Sequence, residues 1–102
     1  MGETEFEWDP AKATRNLAKH GLPFAEAATV FRDPLAAIFP DPDHSDDERR
    51  EIIIGHSDRD RLLVVCFTER GEKVRIISAR RANKRERHDF EENQTGVWGN
   101  EG

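Results

Sequence analysis

Apolar positions change their spacing about one third of the way along the chain. Before this point they recur with the period of a helix. After it they form short runs rich in β-branched residues, separated by polar segments short enough for hairpins. The predicted elements, in order, are a strand at 5–8, helices at 11–20 and from 24 to 33, strands at 35–39, 49–55, 62–68 and 74–79, and a helix at 84–92.

Capping residues support the ends of two of these helices. Asp9-Pro10 is typical of a helix start, because aspartate accepts from free amides and proline loses only an amide that lacks a partner there. Gly21 is typical of a helix end, where a left-handed residue is favoured. For the last helix, Asn83 and Glu86 have the spacing of a capping box.

The apolar runs after residue 48 predict an antiparallel meander. The run 62–67 is apolar at every position, which is typical of a central strand covered on both faces. We therefore predict an α+β fold with N-terminal helices packed on a small antiparallel sheet. The short C-terminal helix has almost no apolar stripe beyond Phe90, so its stability depends on packing or on a partner. One domain is predicted over 1–92, with an acidic loop at 40–47 and a disordered tail at 93–102.

Composition narrows the class of protein. The chain has 102 residues, which suffices for one modest core, and its apolar runs are too concentrated for a disordered chain although 36% of residues are charged. No stretch approaches the roughly 18 apolar residues of a membrane span. The acidic N-terminus does not resemble a secretory signal, and the single cysteine cannot form an intramolecular disulfide. We therefore predict a cytoplasmic protein without membrane association.

Charge is distributed unevenly along the chain. Residues 1–48 carry 4 basic and 11 acidic groups, whereas residues 49–90 carry 12 basic and 7 acidic groups. The window 70–87 holds 8 basic groups against two glutamates. An acidic half and a basic half in so short a chain indicate a polyanion site on one side. The alternative is that the basic run forms an ordinary solvated face.

Arginines are concentrated in the segment 68–81. Arg75 lies inside an apolar strand, Arg80 and Arg81 end this strand, and Arg70 lies in the preceding turn. We expect this arrangement to bring several guanidinium groups near one end of the sheet. Guanidinium is planar, permanently charged and bidentate toward phosphate, so the segment favours RNA binding and stabilisation of a charged transition state.

Strand alternation leaves alternatives open for these arginines. It places Arg75 and Arg81 on one face and Arg80 on the other, so all three line one site only if the strand contains a bulge. The alternative for Arg75 is a buried ion pair with Glu69 or Glu51. For Arg80 and Arg81 the alternative is a solvated position at the start of the last helix.

Few other residues point to chemistry. His20 ends the first helix beside Lys19 and is a candidate general acid or base, although a histidine that caps helix carbonyls is an equal alternative. The other three histidines and Cys66 do not have the spacing of a zinc site, and Cys66 is expected to be a buried small apolar residue. There is no P-loop, dinucleotide-binding turn or nucleophile elbow, so we predict neither a metal nor a cofactor.

Several of these segments together resemble a known family. In the first half they are Phe6-Glu7-Trp8-Asp9-Pro10-Ala11-Lys12, Asn16, Lys19-His20-Gly21, Phe24 and Glu26-Ala27. In the second half they are Ile54-Gly55, Leu62-Leu63-Val64-Val65, Thr68-Glu69-Arg70 and Arg75-Ile76-Ile77-Ser78-Ala79-Arg80-Arg81-Ala82. This pattern, over residues 5–92, resembles the BrnT family of ribonuclease toxins.

The resemblance implies a RelE-like fold and RNA cleavage that inhibits translation, either on the ribosome or on free RNA. It also implies neutralisation by a BrnA-type antitoxin with a ribbon–helix–helix domain, through which the complex binds operator DNA. The expected reaction is metal-free attack of a ribose 2′-hydroxyl on the adjacent phosphate. Together with the arguments above, this predicts a catalytic set and an RNA-binding set. The catalytic set is Arg75, Arg80 and Arg81 on phosphate, with His20 or Glu69 moving protons. The RNA-binding set is Lys19, Arg49, Arg70 and Lys84.

The chain departs from the family pattern in its aromatic residues. The family usually has a tyrosine in the last helix and often another near the fourth strand, whereas Phe90 and Phe67 stand at these places and the chain has no tyrosine. This departure favours an alternative function, a non-catalytic module whose basic surface binds a partner protein. Direct DNA binding by the last helix is a third hypothesis, which the overall acidity disfavours.

Overall fold

A computed structural model describes residues 4–41 and 49–93 of the chain. Over these residues the sequence forms five strands, three α-helices and one 3₁₀ turn, in the predicted order. In chain order the elements are β1 (Glu5–Glu7), α1 (Pro10–His20), α2 (Phe24–Thr29), the 3₁₀ turn (Val30–Arg32), β2 (Ala37–Pro40), β3 (Arg50–His56), β4 (Leu62–Arg70), β5 (Lys73–Arg81) and α3 (Lys84–Glu92). The predicted acidic loop and C-terminal tail lie outside the described residues, except for their first positions.

The sheet is mixed, which corrects the prediction of a wholly antiparallel one. Its order is β1-β5-β4-β3-β2, and β2 to β5 form the predicted antiparallel meander. However, β1 pairs parallel with β5. Within the meander, β5 pairs with β4 along one edge, and β1 occupies its other edge. In the sequence, α1 and α2 separate β1 from the meander. Periodicity identifies a short strand but not its partner, so the sequence did not indicate this pairing.

One face of the sheet carries the main core. The two N-terminal helices cover this face, where Leu22, Phe24 and Val30 pack against buried residues of the three central strands. Phe31 links the layers, because its ring lies 4.9 Å from the ring of Phe67 and 5.2 Å from the ring of Phe6. The predicted α+β class is confirmed. No described helix is long and apolar enough to cross a membrane.

Helix α3 covers one end of the opposite face. Its single buried residue, Phe90, packs with Ile54 and Leu62. The predicted capping box is present: Asn83 Oδ1 accepts from the Glu86 amide at 2.7 Å, and Glu86 Oε1 accepts from the Asn83 amide at 2.9 Å. A helix with one apolar anchor therefore depends on its cap and on the Arg80–Glu86 ion pair to the sheet.

A β-bulge in β5 changes the faces on which its arginines lie. The register shifts so that Ile77 has no partner in β4. Arg75 therefore pairs with Thr68, and Arg80 pairs with Val64. These partners are four positions apart in β4, so both arginines lie on the face of the sheet that α3 covers. Arg81 pairs beside the core residue Leu63 and lies on the other face. The prediction that Arg75 and Arg81 share a face is wrong, because strict alternation does not hold across a bulge.

A partly buried ionic network joins α2 to the turn between β3 and β4. Glu26 is buried, and its carboxylate accepts from Arg61 Nε at 3.0 Å and from Ser57 Oγ at 2.7 Å. The hydrogen bond from Arg61, partly opposed by burial and aided by the Ser57 hydroxyl, lowers the pKa of Glu26 below its ordinary value of 4.5. The charged form of Glu26 therefore stabilises the fold.

The free energy of unfolding is expected to fall in acid because of this network. A carboxyl whose folded pKa is depressed contributes fully above its unfolded pKa, and the contribution disappears as the pH falls through the folded value. Urea unfolding between about pH 7 and pH 3 measures this loss. The loss of unfolding free energy in acid should be smaller in Glu26→Gln than in the wild type. Part of the pH dependence should remain, because the pKa of Glu86 is also lowered. Identical pH profiles for the two proteins would contradict this role of Glu26.

Candidate functional site

The predicted site residues fall at two opposite ends of the sheet. Arg70 pairs with Lys73 at the start of β5, whereas Arg81 pairs with Leu63 at its end. Eight residues of extended strand separate the two ends, which is about 26 Å at ~3.3 Å per residue. The expectation that Arg70, Arg75, Arg80 and Arg81 gather at one sheet end is therefore wrong. The turn before a strand lies at the end opposite to the one where the strand finishes.

The first group surrounds the turn between β4 and β5. Arg49, Glu69 and Arg70 are exposed there, and Arg75 lies two residues inside the strand. Arg75 is half-buried and its Nη1 lies 3.2 Å from Glu7 Oε2. The predicted ion pair thus exists, but its partner is neither Glu69 nor Glu51. The parallel pairing of β1 places Glu7 directly opposite Arg75.

At the other end of β5, Arg80 is held by a carboxylate. Its two Nη atoms donate to the two oxygens of Glu86 at 2.9 and 2.8 Å. The hydrogen bonds from Arg80 lower the pKa of Glu86, and burial opposes them only in part. Glu86 also completes the capping box of α3. Arg80 therefore fastens α3 to the sheet, and the edge of its guanidinium that would bind phosphate is occupied.

Four more predicted site residues surround this end of the sheet. We call Lys19, His20, Arg81 and Lys84 the basic corner. Arg81 ends β5, Lys84 begins α3, and Lys19 and His20 end α1. All four are exposed, and none of them has an ion-pair partner among residues 4–41 and 49–93. They are three cations and one imidazole, and the nearest described carboxylate in the chain, Glu86, is bound to Arg80.

Asn16 joins the end of α1 to the end of β5 by hydrogen bonds. This residue is buried in α1, and its Nδ2 donates both to the Leu22 carbonyl at 3.1 Å and to the Ala79 carbonyl at 2.9 Å. Its Oδ1 accepts from the Ala79 amide at 3.1 Å. One side chain thus joins the segment after His20 to the residues before Arg81. The signal for this role in the sequence is a polar residue on the buried side of α1.

The corner can bind and polarise phosphate. Arginine and lysine attract phosphate oxygens, and arginine does so with two parallel hydrogen bonds. Histidine is the side chain that most often transfers protons in catalysis.

Other candidate ligand residues do not form a metal site. Within the described part of the chain, no three His, Cys, Asp or Glu side chains are placed to hold a metal ion. The prediction that Cys66 is a buried apolar residue needs a correction, because Cys66 is only half-buried and its Sγ lies 3.6 Å from Asp41 Oδ2.

Comparison with known proteins identifies the family. A family model described as the ribonuclease toxin BrnT of type II toxin–antitoxin systems matches residues 8–86. The crystal structure of the Brucella abortus ribonuclease toxin BrnT is similar, with a TM-score of 0.63 and 29% sequence identity over 80% of this chain and 100% of that one. No protein with curated annotation matches the chain. Because the family model covers most of the sequence, the chain belongs to the BrnT family of type II toxin–antitoxin ribonuclease toxins.

Proposed function

We propose that the protein cleaves RNA without a metal ion and that the basic corner holds the reacting phosphate. The observation that carries this proposal is the join between α1 and the end of β5. Asn16 binds Ala79. Lys19 and His20 follow Asn16 by one helical turn, and Arg81 and Lys84 follow Ala79 in the chain. None of these four exposed residues has a carboxylate partner among the described residues. Elsewhere on β5 the arginines are paired, Arg75 with Glu7 and Arg80 with Glu86. A cation that already binds a carboxylate must lose this partner before it can bind phosphate. The cations of the basic corner can bind phosphate without this cost.

The proposed reaction is attack of a ribose 2′-hydroxyl on the adjacent phosphate. His20 takes the hydroxyl proton as the new P–O bond forms and the P–O5′ bond breaks. The departing 5′-oxygen takes a proton from water, and the products are a 2′,3′-cyclic phosphate and a 5′-hydroxyl end. Arg81 stabilises the negative charge that builds on the non-bridging phosphate oxygens, and Lys19 and Lys84 bind flanking phosphates. Glu69 lies at the far end of the sheet from Arg81, so His20 is the better proton carrier of the two candidates. Arg49 and Arg70, near that far end, stay predictions as more distant RNA contacts.

The biological context is also proposed. A toxin of a type II system has an antitoxin partner. We infer that this partner is of the BrnA type with a ribbon–helix–helix domain and that operator DNA is bound through it. We further infer that RNA cleavage inhibits translation in the cytoplasm. Two N-terminal helices on the sheet with α3 at its end support a RelE-like assignment of the single domain at 1–92.

The direct test is cleavage of purified RNA by the isolated protein in EDTA, with and without ribosomes. We expect cleavage to persist in EDTA, and to be lost in the Arg81→Ala/Lys84→Ala double variant, which removes two cations of the basic corner and leaves the Arg80–Glu86 pair intact. Cyclic phosphate ends on the products would support the proposed attack by the 2′-hydroxyl. Cleavage that requires added Mg²⁺ would contradict the metal-free reaction, and an active double variant would contradict the site.

A second candidate function is a binding module without significant nuclease activity. The internal pairing of Arg75 and Arg80 and the absence of tyrosine favour it. Expression in a bacterial host separates the two functions. A nuclease arrests growth unless its antitoxin is co-expressed, whereas a binding module is tolerated. Growth arrest that disappears in the double variant favours the nuclease.

A further inference from the structure

A groove on the α3-covered face of the sheet has no assigned role. It lies between β2 and α3, and we call it the β2–α3 groove. Its apolar floor consists of Ala37, Ile54 and Phe90. Phe39 forms one wall and is 43% exposed, which is unusual for an aromatic ring beside a core. The α3 wall consists of Glu86, Asp89 and Asn93.

Exposed apolar side chains concentrate on β2 and the turn before it, where Phe39 lines the groove and Ile38 lies on the opposite face of the strand. The described residues include four exposed large hydrophobic residues, and three of them, Leu35, Ile38 and Phe39, belong to β2 or to the turn before it. Strand β2 is the outer strand of the sheet, so its second edge has no strand partner among the described residues. An exposed edge beside exposed apolar residues is a typical surface for a protein partner.

Charge decides which class of partner fits. None of the described residues that line the groove is Lys or Arg, whereas Glu86 and Asp89 are acidic. Arg80 neutralises Glu86, but Asp89 is exposed, and its ion-pair partner among the described residues is the distant Arg85, at 4.0 Å. An exposed carboxylate on a lining without Lys or Arg disfavours RNA and attracts a basic protein segment.

We propose that the β2–α3 groove binds the antitoxin, through a segment that places an apolar side chain against Phe39 and a Lys or Arg beside Asp89. This inference rests on the chain being a toxin with an antitoxin partner. The groove lies beside the end of β5, because Glu86, which lines it, binds Arg80, the residue before Arg81. A segment bound in the groove is therefore adjacent to the end of β5, from which it can cover the corner.

The test is the affinity of this protein for the purified antitoxin encoded beside its gene, measured by calorimetry without RNA. Phe39→Ser should weaken binding about 30-fold, as the loss of a central apolar contact does. Asp89→Lys should weaken binding about tenfold and reduce its dependence on salt. Matched controls are Leu17→Ser, which removes an equally exposed apolar side chain from α1, and Glu72→Lys, which reverses an exposed charge at the β4–β5 turn. Both controls should bind like wild type.

Several outcomes would overturn the proposal. Unchanged affinity in both Phe39→Ser and Asp89→Lys would remove the groove from the antitoxin interface. A parallel loss of RNA cleavage by isolated Phe39→Ser would assign the groove to RNA. A wild-type dimer that Phe39→Ser dissociates, with normal antitoxin binding, would assign it to a second copy of the chain. Because the affinity measurement contains no RNA, it stays informative even if the protein proves not to be a nuclease.

Discussion

Arg81→Ala is expected to lower RNA cleavage by about 10²–10³-fold, the usual loss when one donor to a developing oxyanion is removed. Arg81 ends β5 with an exposed side chain and has no ion-pair partner among the described residues. Its guanidinium is therefore available for two parallel hydrogen bonds to phosphate. Single-turnover cleavage of a defined RNA measures the chemical step without product release. Arg81→Lys should recover only part of the rate, because lysine keeps the charge but not the bidentate geometry.

The matched control is Arg70→Ala, which removes an exposed arginine at the opposite end of the sheet. We expect Arg70→Ala to keep the wild-type single-turnover rate at saturating enzyme, because a distant RNA contact affects binding and not the chemical step. Both substitutions should change the free energy of unfolding by less than about 0.5 kcal/mol, as surface changes usually do. Wild-type cleavage by a folded Arg81→Ala protein would exclude the basic corner as the reaction site. A large loss in Arg70→Ala alone would move the site to the β4–β5 turn.

The fold could be predicted from the sequence wherever a local pattern determines it. The start of α1 at Asp9-Pro10, its end at Gly21 and the capping box of α3 depend on a few adjacent residues, and the structure confirms all three. The meander could also be predicted, because hairpin partners are neighbours in the chain. The parallel pairing of β1 could not, since it joins residues about seventy positions apart and leaves no periodic signal.

The same distinction applies to the candidate site. Composition and motif identified the arginines of β5, but which of them are available depends on contacts between distant segments. Glu7 reaches Arg75 only because β1 lies beside β5, and the bulge at Ile77 moves Arg80 to the face where α3 offers Glu86. Single residues can be read as candidates from sequence, whereas their partners require the sheet order and the register.

Asn16→Ala is expected to lower the free energy of unfolding by about 2–4 kcal/mol, the largest effect on stability that we predict for a single substitution. The side chain of Asn16 satisfies two carbonyls and one amide, and truncation leaves these groups without partners. Each buried polar group left without a partner costs about 1–3 kcal/mol, partly offset where water reaches it. Urea unfolding at neutral pH measures the loss. Leu17→Ala, an exposed neighbour on the same helix, should change stability by less than about 0.5 kcal/mol.

The Asn16→Ala substitution also tests whether the basic corner is one unit. Asn16 joins the Leu22 carbonyl, just after His20, to Ala79, just before the end of β5. If His20 and Arg81 act on the same phosphate, loosening this connection should reduce cleavage below wild type in conditions where the variant is still fully folded. Reacting groups displaced by about 1 Å can cost 10²-fold in rate. Cleavage that falls only in proportion to the unfolded fraction would show that the two residues work independently, and the proton carrier would then have to be sought elsewhere.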